Sequence, residues 1–161
     1  MSRLTAKDLM TPDVLVARAD WSLDRLADFF INNYISGAPV VAENDELIGV
    51  VSSTDIVRHD SLHINDSDPA AIHEYYFHGL ENRYAREEIA TLHIQTEPRV
   101  TVRDIMTPVV FDVQEETPLP VVADTLIRGH IHRLFVTRQK KIVGVLTALD
   151  LLKVIRDSAE S

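Results

Sequence analysis

The chain has 161 residues, 45% of them hydrophobic and 25% charged, with 25 acidic against 16 basic side chains and a net charge of −9. This is the composition of a soluble globular protein long enough for a core of its own, and the acidic balance argues against a nucleic-acid-binding face, since Lys140-Lys141 is only a short basic pair. There are no cysteines, which excludes disulfides, thiolate catalysis and cysteine metal sites, and no apolar run approaches the roughly 20 residues that cross a membrane.

In chain order, Met1 to Asp8 lacks the apolar stretch of a signal peptide, so the expected setting is cytoplasmic, without membrane insertion. Val14-Leu15-Val16 reads as a short strand. Asp20 or Ser22 can cap the following helix, whose buried stripe is Leu23, Leu26, Ala27, Phe30 and Ile31, and Ser36-Gly37 is placed at its end. Ala38 to Ala42 is a strand with Pro39 near its start, Glu43 to Glu46 a hairpin turn, and Leu47 to Val51 the return strand. Thr54-Asp55 opens a second helix.

Asp60 to Thr101 is too long for a bare loop. Asp68-Pro69 has the form of a helix start, and Tyr75, Tyr76, Phe77 and Tyr84 follow, which predicts a helical insert with aromatics for packing on the module or a partner. The first pattern then returns. Val109 to Val113 is a strand, Thr117-Pro118 a helix start, Arg133 to Thr137 and Lys141 to Leu146 a hairpin around Gln139, and Ala148 to Asp157 the last helix.

The chain is therefore internally duplicated. Lys7-Asp8-Leu9-Met10-Thr11-Pro12 recurs as Arg103-Asp104-Ile105-Met106-Thr107-Pro108, and Gly49-Val50-Val51-Ser52-Ser53-Thr54-Asp55 as Gly144-Val145-Leu146-Thr147-Ala148-Leu149-Asp150. The expected organisation is α+β: two β-α-β-β-α repeats, 6–59 and 102–157, packed as a pseudo-twofold module with a cleft between them and the helical insert 60–101 outside the pattern. In each repeat a hydroxyl and a carboxylate stand at the start of the second helix. A carboxylate there can accept from both hydroxyls of a ribose, and a helix start offers amides and a positive dipole end to phosphate. The same residues are also ordinary helix caps.

The ordered pattern, occurring twice, resembles the CBS domain, named after cystathionine β-synthase, and two such repeats resemble the tandem pair called a Bateman module. The resemblance implies a non-catalytic regulatory module that binds an adenosine-containing ligand between the repeats. AMP, ADP or ATP come first; S-adenosylmethionine and NAD rank behind them. It also implies a homodimer acting on a regulated protein that the sequence does not identify. Carried onto this chain, Asp150 with Thr147 and Asp55 with Ser52 take the ribose and phosphate roles. Adenine is expected near Val14 for the Asp150 site and near Val110 for the Asp55 site. His132-Arg133 is similar to a pair in the regulatory γ subunit of AMP-activated protein kinase that contacts the AMP phosphate. Arginine presents a planar fork to phosphate oxygens, and the first repeat has no cation at the matching place, so the preferred site is Val14, His132, Arg133, Thr147 and Asp150. Arg58 and Lys153, each three residues past an aspartate, read as solvated helix faces that could turn toward phosphate.

Other chemistry finds little support. His59 and His63 suit one helix face, His73 and His78 do not, and His130 and His132 could share one side of a strand, but no third metal ligand has a compelling spacing. There is no Gly-x-Ser-x-Gly elbow, Walker loop or dinucleotide fingerprint, so no catalytic residues are assigned. The rival reading is a ligand-free structural or dimerisation adaptor that works through the aromatic insert.

Overall fold

The computed structural model describes residues 3–62 and 100–159. The insert expected over 60–101, with its aromatics and with His63, His73 and His78, lies outside the described residues apart from its ends. The elements are α1 (Ala6–Leu9), β1 (Ala17–Arg18), α2 (Leu23–Asn33), β2 (Gly37–Val41), β3 (Leu47–Ser52), α3 (Ser53–Leu62), α4 (Val102–Ile105), β4 (Asp112–Gln114), α5 (Leu119–Gly129), β5 (Arg133–Arg138), β6 (Lys141–Thr147) and α6 (Ala148–Ala159). The fold is α+β, and each repeat has the expected strand-helix-strand-strand-helix order preceded by a four-residue helix, α1 or α4, that the sequence reading did not place.

The chain divides into two compact units, and they do not coincide with the two repeats. One is Leu15–Val109; the other joins Met1–Val14 to Val110–Ser161. Each repeat's opening segment thus belongs with the body of the other repeat.

In the unit Leu15–Val109, β1 runs parallel to β2 (Ala17 opposite Val40) and β2 antiparallel to β3 (Gly37 opposite Ser52, Val40 opposite Gly49). Helix α2 begins where the Ser22 hydroxyl accepts from the Arg25 amide at 3.2 Å, so of the two expected caps Ser22 is the one used. Its stripe, Leu23, Leu26, Ala27 and Phe30, is buried against Val40, Val51, Ile56, Val102 and Ile105. Burying each of the larger side chains contributes about 2 kcal/mol. Helix α4 is tied in at the start of α2: Val102 and Arg103 donate to the carbonyls of Trp21 (2.9 Å) and Ala19 (3.0 Å).

The second unit repeats this arrangement. Strand β4 runs parallel to β5 and β5 antiparallel to β6, with Phe135, Leu134, Val136, Leu146 and Val122 buried. Helix α1 is held as α4 is, by Ala6 and Lys7 donating to the carbonyls of Thr117 (2.8 Å) and Glu115 (3.0 Å). Near this anchor Arg138 grips Glu115 with two bonds of 2.6 and 2.7 Å, which lowers the Glu115 carboxyl below its usual range and raises the guanidinium.

Several local expectations shift. The strand placed at Val14–Val16 forms instead at Ala17–Arg18, and the one placed at Val109–Val113 at Asp112–Gln114. Pairing with β2 and β5 selects these residues, and the exposed Leu15 and Val109 stay outside the ladders. Helix α2 ends not at Ser36-Gly37 but at Tyr34, and α5 ends at His130. Both residues take left-handed backbone (φ 58° and 51°), so the next amides, of Ile35 and Ile131, bond back to Phe30 and Leu126. His130 is consequently a helix cap, and neither it nor His132 lies on a strand.

Candidate nucleotide site

The hydroxyl-x-x-aspartate pattern occurs at four helix starts and does the same work at each. Thr5 with Asp8, Ser52 with Asp55, Thr101 with Asp104 and Thr147 with Asp150 are reciprocal caps. In every pair one carboxylate oxygen accepts from the first residue's amide at 2.7–2.9 Å and from its hydroxyl. Capping alone therefore does not mark a ligand site. What distinguishes Ser52-Asp55 and Thr147-Asp150 is that a strand with a glycine leads into the helix.

That glycine is where a Met-Thr-Pro segment docks. A Cβ on Gly144 would lie 2.8 and 2.9 Å from the Cγ and Cβ of Met10, and a Cβ on Gly49 would lie 2.6 Å from the Thr107 carbonyl and 3.0 Å from Met106 Sδ. Beside these contacts Thr11 exchanges two backbone bonds with Val145 (2.8 and 3.0 Å), and Thr107 two with Val50 (2.8 and 2.9 Å). The two duplicated motifs are thus one device: each Met-Thr-Pro lies along the strand that leads to the aspartate of the other repeat.

In the unit that joins Met1–Val14 to Val110–Ser161, the β5/β6 pair and the β6/α6 junction bring Arg133, Thr147 and Asp150 near one another. Arg133 is the register partner of Thr147, directly across the β5/β6 pair, and the Ala148 amide donates to the His132 carbonyl at 2.8 Å. Asp150 keeps one oxygen for the Thr147 cap; the other meets Lys153 Nζ at 3.2 Å. Val14, half-buried, closes the segment that begins with α1. The Thr147, Ala148 and Asp150 amides are all engaged within the fold, by Asp150, His132 and the Thr147 hydroxyl, so a phosphate here would rely mainly on side-chain cations rather than on the helix start.

A cleft of about 540 Å³ opens beside Asp150, lined by Asp8, Leu9, Thr11, Lys153, Val154 and Asp157 among others. Of the five residues of the preferred site only Asp150 lines it. Asp8, Thr11 and Asp157 were not singled out as ligand residues from the sequence, although Thr11 sits in the duplicated Met-Thr-Pro.

In the other unit Ser52 and Asp55 make the matching cap, and the Ser53 amide donates to the Ser36 carbonyl at 2.8 Å. The residue across from Ser52 is Gly37, so no cation stands where Arg133 stands. Arg58 Nη1 lies 3.9 Å from Asp55 and is largely covered, which overturns its reading as a solvated helix face; the exposed Lys153 fits that reading. Val110, the expected adenine neighbour, falls in the other unit. A cleft of about 490 Å³, lined by Ala19, Asp20, Ala42, Glu43, Asn44 and Arg103, includes neither Ser52 nor Asp55. Among the described residues no three potential ligands gather for a metal, and no helix is long and apolar enough to cross a membrane.

Comparison with known proteins agrees with the duplication. The sequence model of the CBS domain matches residues 6–61 and 102–157. The chain is 29% identical over 147 residues, 89% of its length, to the chloroplastic CBS domain-containing protein CBSX2 of Arabidopsis thaliana, and spans 60% of that relative. The CBS domain of a CBS domain-containing membrane protein from Sphaerobacter thermophilus has a similar crystal structure (TM-score 0.64, 30% identity, 94% of this chain and 87% of that one). So does CBSX2 in complex with AMP (TM-score 0.64, 25% identity, 96% and 98%). With both repeats matched, the chain belongs to the CBS-domain family and carries two CBS domains in tandem.

Proposed function

We propose that the chain is a regulatory module that binds an adenine nucleotide at the β6/α6 junction and passes its occupancy to a partner protein. The observation that carries this reading is the convergence of Arg133, Thr147 and Asp150 at one strand-to-helix junction beside an open cleft. The second oxygen of Asp150 takes the ribose hydroxyls once Lys153 turns aside, and Arg133 and Lys153 take phosphate. The AMP complex of CBSX2, a related chain, supports the same ligand class. Asp8 and Asp157 also line the cleft, so each further phosphate adds repulsion and the expected order of affinity is AMP, then ADP, then ATP.

Calorimetric titration tests this. The wild-type chain is expected to bind AMP saturably, and Asp150→Asn to weaken it by about 10- to 100-fold, the value of a charged hydrogen bond. Arg133→Ala is expected to weaken AMP and leave adenosine nearly unchanged; equal losses would remove Arg133 from the phosphate role. If no adenosine compound binds, the nucleotide reading falls and the ligand-free adaptor stands.

Self-association is part of the same proposal. Leu149, Leu152 and Ile155 are exposed along one face of α6, where apolar side chains lose most by facing water. The wild-type chain is expected to sediment as a dimer and Leu152→Glu as a monomer. A Leu152→Glu protein that sediments like wild type would rule this face out.

A further inference from the structure

We infer that the cleft beside α4 and the β2/β3 turn is a second small-molecule site, for free arginine or an amino acid of the same charge pattern. It does not depend on the nucleotide reading above. The duplication shows what is missing from this cleft. In each unit the second residue of a short helix donates its amide to the carbonyl that follows the first strand: Arg103 to Ala19 and Lys7 to Glu115, both at 3.0 Å. The strand registers extend the match. Arg18 stands opposite Val41 and Gln114 opposite Thr137, so Ala42 occupies the place of Arg138. In the unit that joins Met1–Val14 to Val110–Ser161, the two-bond pair of Arg138 and Glu115 fills this place. In the unit Leu15–Val109 both positions are alanine. The cleft left there, about 490 Å³, is within the range of roughly 300–1,000 Å³ usual for small-ligand sites.

The lining carries charges of both signs, Arg103 together with Asp20 and Glu43, and the side-chain amide of Asn44. The turn that presents Glu43 and Asn44 is already fixed. Arg18 donates to the Asp45 carboxylate at 3.1 Å and to the carbonyls of Ala42 and Glu43 at 3.4 Å, so binding need not order it. Two carboxylates against one guanidinium leave one negative charge in excess. A ligand with two cations and one carboxylate neutralises the set. Arginine is such a ligand: its carboxylate meets the fork of Arg103, and its ammonium and guanidinium meet Asp20 and Glu43. A guanidinium against a carboxylate is also what closes this place in the other unit. Acidic amino acids would meet like charge from both carboxylates.

Titration of the full, nitrogen-15-labelled chain with L-arginine, followed by amide chemical shifts, tests the site. Saturable shifts are expected at Ala19, Asp20, Glu43, Asn44 and Arg103, at millimolar ligand because exposed charge pairs are weak. Ala19→Glu with Ala42→Arg rebuilds the pair of the other unit and is expected to abolish them. Ala19 is 4% exposed, so Ala42→Arg alone serves if the double variant melts early by circular dichroism. Arg103→Ala is expected to weaken L-arginine by about tenfold, the value of one charged hydrogen bond, and to leave agmatine, which lacks the carboxylate, unchanged. No saturable shifts with L-arginine would overturn the inference. So would binding that persists undiminished in a folded variant with the cleft filled. Equal binding of N-acetyl-L-arginine amide, or equal losses of L-arginine and agmatine in Arg103→Ala, would overturn recognition of a free amino acid.

Discussion

Gly49→Ala is expected to cost about 3 kcal/mol of stability, read as a lower urea midpoint at an unchanged m value. The new Cβ would stand 2.6 Å from the Thr107 carbonyl oxygen. That oxygen belongs to the backbone and is held by the Val50 amide, while the Thr107 amide holds the Val50 carbonyl in return. Making room therefore parts the Met-Thr-Pro segment from β3 and gives up two backbone hydrogen bonds, each worth about 1 kcal/mol, besides the overpacking itself. Gly144→Ala meets Met10 instead, most of it a flexible thioether side chain, and should cost about half as much. Met10→Ala should recover part of that loss, whereas Met106→Ala should recover little at Gly49, because the obstacle there is main chain. A Gly49→Ala protein within about 0.5 kcal/mol of wild type would show that the segment yields freely and that the docking is loose.

Asp55→Ala is expected to be the next most damaging change, at about 3 kcal/mol, against about 1 kcal/mol for Asp150→Ala. Both remove a reciprocal cap. Only Asp55→Ala also takes a carboxylate away from a largely covered guanidinium, Arg58, whereas Lys153 beside Asp150 is solvated already. Equilibrium unfolding of the ligand-free variants measures the pair. The nucleotide titration above reads the opposite asymmetry, with the larger loss of binding at Asp150. Equal costs for the two alanine variants would contradict the separation of a structural from a ligand-binding aspartate.

Much of the fold is legible because the repeat states each element twice. The stripe Leu23, Leu26, Ala27 and Phe30 announces its helix, and both hairpins lie where the turn residues put them. Shorter elements escape. Helix α1 has four residues and only Ala6 is buried, so there is no apolar period to detect. Its one sequence signal is the Thr5-x-x-Asp8 cap. Val14-Leu15-Val16 has the composition of a strand, yet pairing falls on Ala17 and Arg18, since register with β2 is a non-local choice. The candidate site shows the same limit. Thr147 and Asp150 stand out through duplication, and Arg133 through its charge. That Met10 sits on Gly144, and that Arg58 is covered where Lys153 is open, depends on contacts between segments far apart in sequence.

The exchange of opening segments also sets an order of events as the chain is made. Residues around Ala6 to Thr11 leave the ribosome well over a hundred residues before their strand, β6. Until then the Thr11 amide and carbonyl, and the face of Met10, have only water or the wrong strand edge to meet. Contacts of such long sequence separation form late, after loop closure has been achieved by other means. The unit Leu15–Val109 contains its own docking segment and can finish while synthesis continues; the second unit must wait for β6 to pair with the Met10-Thr11-Pro12 segment. The β6/α6 junction with its docked Met-Thr-Pro segment therefore takes shape only after β6 has been made.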